Sequence, residues 1–468
     1  MPRRSRHLLA AVCVGLLLVG CAHAPINAPL ARYQPDAGYR FAALTPDENS
    51  DSLFVVLAFS GGGTRAAALS YGVLNALADT RIAWQGKAGR LLDEVDLLST
   101  ISGGSFTGAY YALFGDRIFT DYEPRFLKRD IQGELRTALW NPVTLIRLAS
   151  PSFDRIDLAA ELYDRSVFDG QAYRALVARH RRPFLVINAT NMSLGERFEF
   201  IQDQFDLLGS DLSSYPVARA VAASSAFPIL LSPITLRNYP NPPGYEPPAW
   251  IEHALRDYHL NRRRYMRAKS LSTYGEKDDH PYVHLLDGGL ADNIGLRHVI
   301  DSIRDAGRPG GLRQLINQEK IEKLVVIIVN ARTEPREEID KRRQAPSVAR
   351  VAMKTATVAM ENYSFETIEL MKDLAEAREQ AQRAVQDCRE LLAERCPGGP
   401  RPPALKEMSF HMIEVNFESI ADPQEREAFL SLPTSFALEP AVVDRLIRKG
   451  GELLRQSPEF QRLITELR

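Results

Sequence analysis

The sequence reads LFVVLAFSGGGTR over residues 53–65 and VDLLSTISGGS over residues 95–105. Each stretch begins with a largely apolar run typical of a buried strand and ends in a glycine-containing turn. Apolar residues at helical spacing follow the first turn as far as Leu77, and a second helix is expected to start near Phe106. The pattern therefore predicts, twice in succession, a buried strand that ends in a tight turn and opens a helix.

The two turns have complementary chemical uses. Successive glycines at Gly61, Gly62 and Gly63 let the backbone approach a ligand closely, with N–H groups that point to one spot near a helix N-terminus. Ser102 lies on a sharp strand-to-helix turn, which would hold its hydroxyl out at the edge of the sheet. Together the turns predict an oxyanion hole that faces a nucleophile. Taken singly, the glycines also fit a flexible turn and the serine a helix cap, whereas the Lys-Ser/Thr ending of a phosphate-binding loop is missing.

A carboxylate suited to act as a base follows another short apolar run. Asp287 comes directly after residues 284–286 and before Gly288 and Gly289, which predicts a third turn at a strand end. Because such turns gather at one edge of a parallel sheet, the three elements can converge there. Acyl transfer needs a nucleophile, a base and donors for the oxyanion, and the three turns together supply them. Alone, Asp-Gly-Gly also fits an ordinary turn.

The rest of the chain predicts an α/β fold. Strand-like runs alternate with helical segments, which indicates a mainly parallel sheet covered by helices on both faces. Further strands are predicted at Phe184–Thr190, at Leu324–Val329 and, late in the chain, at Met412–Phe417. Terminal helices are predicted over 440–467.

Two segments allow more than one interpretation. The apolar residues Val143, Leu145, Ile146 and Leu148 fit a lipid-facing surface, but equally a core or a packed lid. The highly charged, largely helical segment 334–395 fits a solvated helical face or a partner-binding coiled coil.

The three motifs resemble those of a known family. SGGGTR at 60–65, TISGG at 100–104 and DGG at 287–289 occur in the order and spacing of the patatin-like phospholipases, which are lipid acyl hydrolases with a Ser-Asp dyad. The resemblance covers roughly 53–329 and includes SSAFP at 224–228, similar to the family's segment that lines the acyl pocket. It implies a three-layer sandwich with a mainly parallel central sheet, to which this chain adds a helical C-terminal elaboration.

The resemblance also implies roles for individual residues. Ser102 would be the nucleophile, Asp287 the general base and the amides of Gly61–Gly63 the oxyanion hole, while Arg65 would help to hold the glycine loop. No cofactor or metal is implied. The expected reaction is hydrolysis of a phospholipid or lysophospholipid ester through an acyl-enzyme. The alternatives are a non-catalytic lipid-binding or scaffold lipoprotein, and an acyltransferase or thioesterase that uses the same dyad.

The turn around Ser102 (residues 100–104, the serine turn) departs from the family pattern in two ways. Thr100 stands where the family usually has glycine, and a β-branched residue resists positive φ, so the backbone there is expected to be ordinary. Ser105 is a rival nucleophile. Ser102 is favoured because it keeps the Ser-x-Gly pattern with Gly104, whereas Ser105 would begin the helix.

The N-terminus has the pattern of a secretion signal. Basic residues precede the apolar run 8–19, which is too short to span a bilayer. LVGC at 18–21 looks like a bacterial lipoprotein cleavage box, so residues 1–21 are predicted to be a signal and Cys21 to carry lipid; the alternative is an ordinary signal cut elsewhere. Ala22, by resemblance to such lipoproteins, suggests the outer membrane of the cell envelope. The membrane would then be a partner through the lipid anchor.

Composition and cysteine spacing set further expectations. The chain of 468 residues has a net charge of −1, which gives no reason to propose nucleic acid as a partner. Residues 22–50 are expected to be a tether, 51–333 the catalytic domain, and 334–468 a mostly helical extension that completes or covers it. Cys388 and Cys396 are a possible disulfide, provided that the helix ends between them.

Overall fold

The computed structural model describes residues 26–45, 49–228, 230–304, 312–318, 320–334, 339–341, 343–396, 398–399 and 408–468. The predicted signal 1–21, with Cys21, lies outside the described residues. Among the residues described, no helix is both long enough and apolar enough to cross a membrane.

The strands, in chain order, are β1 (Ala28–Pro29), β2 (Leu53–Phe59), β3 (Arg81–Trp84), β4 (Lys87–Arg90), β5 (Val95–Ile101), β6 (Phe184–Asn191), β7 (Glu196–Glu199), β8 (Ser210–Asp211), β9 (Ile234–Arg237), β10 (Tyr282–Asp287), β11 (Lys323–Asn330) and β12 (Ser409–Asn416). The α-helices are α1 (Gly63–Asp79), α2 (Ser102–Phe114), α3 (Ile118–Tyr122), α4 (Ile131–Ala138), α5 (Pro142–Leu148), α6 (Arg155–Tyr163), α7 (Tyr173–Arg179), α8 (Gln202–Leu207), α9 (Val217–Ser224), α10 (Ala249–Ala254), α11 (Arg262–Ser272), α12 (Gly289–Asp292), α13 (Leu296–Arg304), α14 (Leu312–Asn317), α15 (Val348–Arg395), α16 (Pro423–Leu430), α17 (Pro440–Gln456) and α18 (Pro458–Glu466).

A mixed sheet forms the centre of the protein. Its strands lie in the order β12-β11-β2-β5-β6-β10-β9, and β7 also pairs with β6. The first five are mutually parallel, whereas β10 is antiparallel to both β6 and β9. Every residue of β2, β5 and β6 is buried, as expected for parallel strands covered on both faces. The predicted α/β class, with a mostly parallel sheet flanked by helices, is confirmed.

Helices pack side by side next to this sheet. In order, α17 contacts α1, α1 contacts α2, and α2 contacts α9, while α13 packs against β5 and the long helix α15. The predicted strands at 53–59, 95–98, 184–190, 324–329 and 412–417 all form. Their ends lie within one or two residues of the expected ones, except that β5 continues three residues further, to Ile101, and β12 begins three residues earlier.

The C-terminal part of the chain is built into the sheet. β12 pairs with β11 along eight residues and forms one edge of the sheet, and α17 packs along α1. The expected boundary at residue 333 therefore separates two strands of one sheet. The two parts form a single folded unit, in which the later part is not purely helical.

The predicted tether is wrong for the residues that are described. Asn27 and Tyr39 are buried, and the Tyr39 hydroxyl accepts a hydrogen bond of 2.7 Å from the backbone N–H of Leu185 in β6. Arg40 forms ion pairs with Asp203 and Asp206. Residues 26–45 thus pack onto the domain, because their aromatic and polar side chains find specific partners there.

The possible disulfide does not form. Cys388 lies within α15 and Cys396 directly follows it, so the helix does not end between them. Both thiols are free and exposed. The 48-residue helix keeps the two side chains apart, since two residues eight positions apart on a helix lie about 12 Å apart.

Candidate active site

Ser102 stands at the junction of β5 and α2. It is the first residue of α2 and has φ +47°, a left-handed conformation that costs a serine conformational energy. The helix begins here and not near Phe106 as expected. Thr100 remains in β5, as its β-branched side chain requires, so the strained conformation falls on Ser102 itself. Ser105 is fully buried inside α2, whereas Ser102 lines a cavity.

The glycine turn, formed by Gly61, Gly62 and Gly63, lies directly against the serine turn. A Cβ built on Gly103 would lie 2.1 Å from the carbonyl oxygen of Gly63, and a Cβ built on Gly61 would lie 3.3 Å from the Cβ of Ser102. Only glycine at position 103 permits this approach. The two turns predicted to meet at the sheet edge are therefore in van der Waals contact.

Ser102 and Asp287 form a hydrogen-bonded pair. The Oγ of Ser102 donates to Oδ2 of Asp287 at 2.9 Å, and the backbone N–H of Gly289 donates to Oδ1 at 2.8 Å. Ser102 is 7% and Asp287 3% exposed. Burial raises the pKa of Asp287 to about 7, while the hydrogen bonds from Gly289 and Ser102 act in the opposite direction. The carboxylate is thus a stronger base than an exposed aspartate.

Asp287 lies at this edge of the sheet, but on a strand whose direction differs from the prediction. β10 is not another parallel strand; it runs antiparallel to β6, and Asp287 lies opposite Ala189. Because β6 continues beyond Asn188, which pairs with Ile101 at the end of β5, it offers an edge on which β10 can pair. β10 then ends level with the serine turn. The three turns converge as expected, but they do so because β5 and β10 both pair with the long strand β6.

Ser224 holds the serine turn in place. Its Oγ accepts a hydrogen bond of 2.9 Å from the backbone N–H of Ser102 and donates one of 2.6 Å to the carbonyl of Asn188. It also contacts the Oγ of Ser105 at 3.0 Å. Sequence analysis missed this role, because the resemblance assigned 224–228 to the acyl pocket. No sequence signal marks a contact between residues 122 positions apart.

The backbone amides of the glycine turn are not equivalent. The N–H of Gly61 donates to the carbonyl of Asn293 at 3.1 Å, so it is engaged within the protein. For the N–H groups of Gly62 and Gly63, the described part of the chain provides no acceptor. Both residues line the same cavity as Ser102. The structure therefore leaves two of the three predicted oxyanion donors free.

Arg65 lies buried behind the glycine turn. Its guanidinium donates to the carbonyls of Ala331 and Leu432, each at 2.9 Å, and to the Oγ1 of Thr434 at 3.2 Å. Burial lowers its pKa to about 10. A Cβ on Gly62 would lie 3.0 Å from its Nη2. Arg65 thus joins the end of β11 and the loop before α17 beneath the glycine turn.

A cavity of about 620 Å³ opens above these groups. Its floor carries Ser102, Asp287 and the glycine turn, and its walls are mainly apolar. Apolar residues of the walls include Leu135, Leu139, Leu158, Phe227, Leu230, Leu231, Ala331, Met353, Met360 and Phe436. Within the described ranges, no cluster of His, Cys, Asp and Glu has the composition to hold a metal ion.

The chain is similar to known proteins in sequence profile and in structure. The profile of the family described as patatin-like phospholipase matches residues 57–300, which contain both members of the Ser-Asp pair. Among solved structures, the chain is similar to human GIVD cytosolic phospholipase A2, with 16% identity, 89% of this chain and 62% of that chain covered, and a TM-score of 0.42. The same human enzyme in complex with methyl gamma-linolenyl fluorophosphonate gives 14% identity, 89% and 59% coverage, and a TM-score of 0.36.

The chain spans less than two thirds of the length of these human structures. A search of curated proteins found no match. The family profile covers more than half of the 468 residues and includes the serine turn, the glycine turn and the Asp-Gly-Gly turn. This protein belongs to the patatin-like phospholipase family.

Proposed function

We propose that this protein is a serine esterase that hydrolyses the carboxylic ester bonds of phospholipids or lysophospholipids. Family membership supports a lipid hydrolase. The observation that carries the finer proposal is the 2.9 Å hydrogen bond between the Ser102 hydroxyl and the buried carboxylate of Asp287, at the floor of an apolar cavity.

The first half of the reaction forms an acyl-enzyme. Asp287 takes the proton from Ser102 as Oγ attacks the ester carbonyl carbon. The negative charge that develops on the carbonyl oxygen is stabilised by the N–H groups of Gly62 and Gly63. When the tetrahedral intermediate collapses, the carbon–oxygen bond to the leaving group breaks. The protonated Asp287 gives its proton to that oxygen, and the lysolipid or alcohol departs.

The second half returns the enzyme to its starting state. Asp287, again a carboxylate, takes a proton from a water molecule as its oxygen attacks the acyl carbon. Collapse then releases the fatty acid and returns the proton to Ser102. No histidine is required, because burial gives Asp287 a pKa of about 7, suitable for a base near neutral pH.

The free amides and the cavity support the choice of an acyl substrate. One oxyanion donor typically contributes about 3 kcal/mol to transition-state stabilisation, and two such donors line the same cavity as Ser102. The mainly apolar walls suit an acyl chain, and a volume of about 620 Å³ is within the range of ligand pockets.

The decisive experiment combines a fluorophosphonate probe with mass analysis of lipid products. We expect wild-type protein to be labelled at Ser102 and to release fatty acid from phospholipid. Ser102→Ala is expected to lose both properties, whereas Ser105→Ala keeps the labelled residue. Full hydrolysis by Ser102→Ala would refute the proposal. Absence of labelling and turnover in the wild type would favour a non-catalytic lipid-binding protein instead.

We further propose that Cys21 carries lipid and anchors the protein in the bacterial envelope, at the outer membrane. The support is the LVGC sequence at 18–21, after a short apolar run. Intact-mass analysis of the mature protein is expected to find a lipid-modified N-terminal cysteine, and Cys21→Ser is expected to release the protein from the membrane fraction. A mature N-terminus at another residue would refute this proposal.

A further inference from the structure

Exposed apolar side chains continue outward from one wall of the cavity. Leu139 and Leu230 line the cavity, and Leu230 is itself exposed. Next to Leu139, Trp140 is 84% exposed, and Val143 and Ile146 on α5 are also exposed. A contiguous exposed apolar surface of this kind marks an interaction site.

Another wall of the cavity comes from the first third of α15, where Met353 and Met360 line it. Val348, Val351 and Val358 on this part of the helix are exposed, but they lie on the opposite side of the helix from the two methionines. The exposed apolar side chains next to the cavity are therefore those of Leu230 and of residues 140–146.

Cationic side chains at the cavity indicate what this surface meets. Arg136 and Arg155 line the cavity and are exposed, and neither has a carboxylate partner among the described residues. Exposed apolar side chains mixed with cations are typical of surfaces that lie on anionic lipid.

We infer that the mouth surface, formed by Trp140, α5, Leu230, Arg136 and Arg155, docks on an anionic lipid leaflet. The apolar side chains enter the boundary between headgroups and acyl chains, and Arg136 and Arg155 contact lipid phosphates. A lipid acyl chain then passes from the leaflet into the apolar cavity without crossing water. This inference rests on the proposed function for the identity of the substrate, but the docking itself is measured separately.

Trp140 provides a local probe of docking. Vesicles of phosphatidylcholine with phosphatidylglycerol, carrying bromine on their acyl chains, quench a tryptophan that enters the bilayer. We expect quenching of the full-length Cys21→Ser protein, in which N-terminal lipid is absent. In Trp140→Phe the quenching is lost, because Trp84 and Trp250 are both partly buried. Raising the salt concentration, or using phosphatidylcholine alone, is expected to weaken the quenching.

Activity provides the second measurement. The double variant Val143→Ser with Ile146→Ser is expected to lower hydrolysis of vesicle phospholipid about tenfold, through a higher apparent KM. Its kcat for a soluble short-chain ester is expected to be unchanged. The matched control is Leu260→Ser with Met192→Ser, two exposed apolar residues that do not line the cavity, and it is expected to behave as wild type.

The outcomes separate the docking from the catalysis. Equal quenching of wild type and Trp140→Phe, or no quenching at all, would overturn the docking inference. So would unchanged vesicle hydrolysis in the double variant, or equal binding to neutral and anionic vesicles. If soluble-ester hydrolysis persisted in Ser102→Ala while Trp140 quenching was present, the proposed catalysis would fail and the docking would stand.

Discussion

β5 and β10 pair one after the other with the same edge of β6, β5 parallel and β10 antiparallel, and they contribute to the site in different ways. We call β2 and β5 the parallel side of the site and β10 the antiparallel side. On the parallel side, β2 and β5 end in turns that supply the free amides and Ser102. On the antiparallel side, β10 supplies Asp287 from a strand that runs in the opposite direction. The parallel side places groups by strand direction alone, since all its carboxyl ends meet at one edge. On the antiparallel side, the position of Asp287 depends on the length of β10, because that strand must end opposite Ala189.

The difference shows that β6 determines the geometry of the Ser102–Asp287 pair. Ile101, just before Ser102, pairs with Asn188, and Asp287 pairs with the next residue, Ala189. The proposed nucleophile and the proposed base are thus held by adjacent residues of one strand. The carbonyl of Asn188 also accepts the hydrogen bond from Ser224, which in turn holds Ser102.

Removing the base from the antiparallel side is expected to have the largest effect. Asp287→Asn keeps the size of the side chain but abolishes its ability to take a proton from Ser102. We expect kcat for a soluble ester to fall about 10⁴-fold, measured in steady state at pH 8, with circular dichroism unchanged. A loss of less than tenfold would mean that another group acts as the base.

Crowding the parallel side is expected to have the next largest effect. In Gly103→Ala, the new Cβ would lie 2.1 Å from the Gly63 carbonyl and would displace the glycine turn. We expect kcat to fall about 10²-fold as the free amides move, and the free energy of unfolding to fall by about 1–3 kcal/mol. The control is Gly89→Ala, where a Cβ meets nothing within 4 Å. Equal kinetics in the two variants would contradict a role for this contact.

Ser224→Ala tests the connection between the two sides. The change leaves the buried N–H of Ser102 without an acceptor, which costs about 1–3 kcal/mol, and loosens the serine turn. We expect kcat and the rate of fluorophosphonate labelling to fall about tenfold, with KM unchanged. Ser225→Ala is the neighbouring control, because the Ser225 hydroxyl donates to the carbonyls of Val221 and Ala222. Wild-type labelling in Ser224→Ala would contradict the positioning role.

The sequence predicted the parallel side better than the antiparallel side for a physical reason. The apolar runs at β2, β5 and β11 indicate strands buried on both faces, and strand-turn-helix order then fixes where Ser102 and the glycine turn lie. For Asp287, the Asp-Gly-Gly pattern predicted a turn at a strand end, but an apolar run carries no information about strand direction. The engagement of Gly61 by the carbonyl of Asn293 depends on tertiary packing, which local sequence does not encode.

The pH dependence of stability gives the smallest expected effect and tests the environment of Asp287. Burial raises its pKa to about 7 from an ordinary value near 4, so between these pH values the folded protein binds more protons than the unfolded chain. Its contribution to stability is therefore present at pH 4 and is lost as the pH rises through about 7. Asp287→Asn stays neutral and lacks this loss.

We accordingly expect the Tm difference, Asp287→Asn minus wild type, to increase from pH 4 to pH 7 and to level off above it. Scanning calorimetry of both proteins in matched buffers measures this difference, and all other titrating groups cancel to first order. Activity moves the opposite way in the wild type: kcat/KM rises with pH through about 7, because only the carboxylate form takes the proton from Ser102. A Tm difference that stays constant with pH would mean that Asp287 is as well solvated in the folded protein as in the unfolded chain. The proposal that a buried Asp287 acts as the base for Ser102 would then be contradicted.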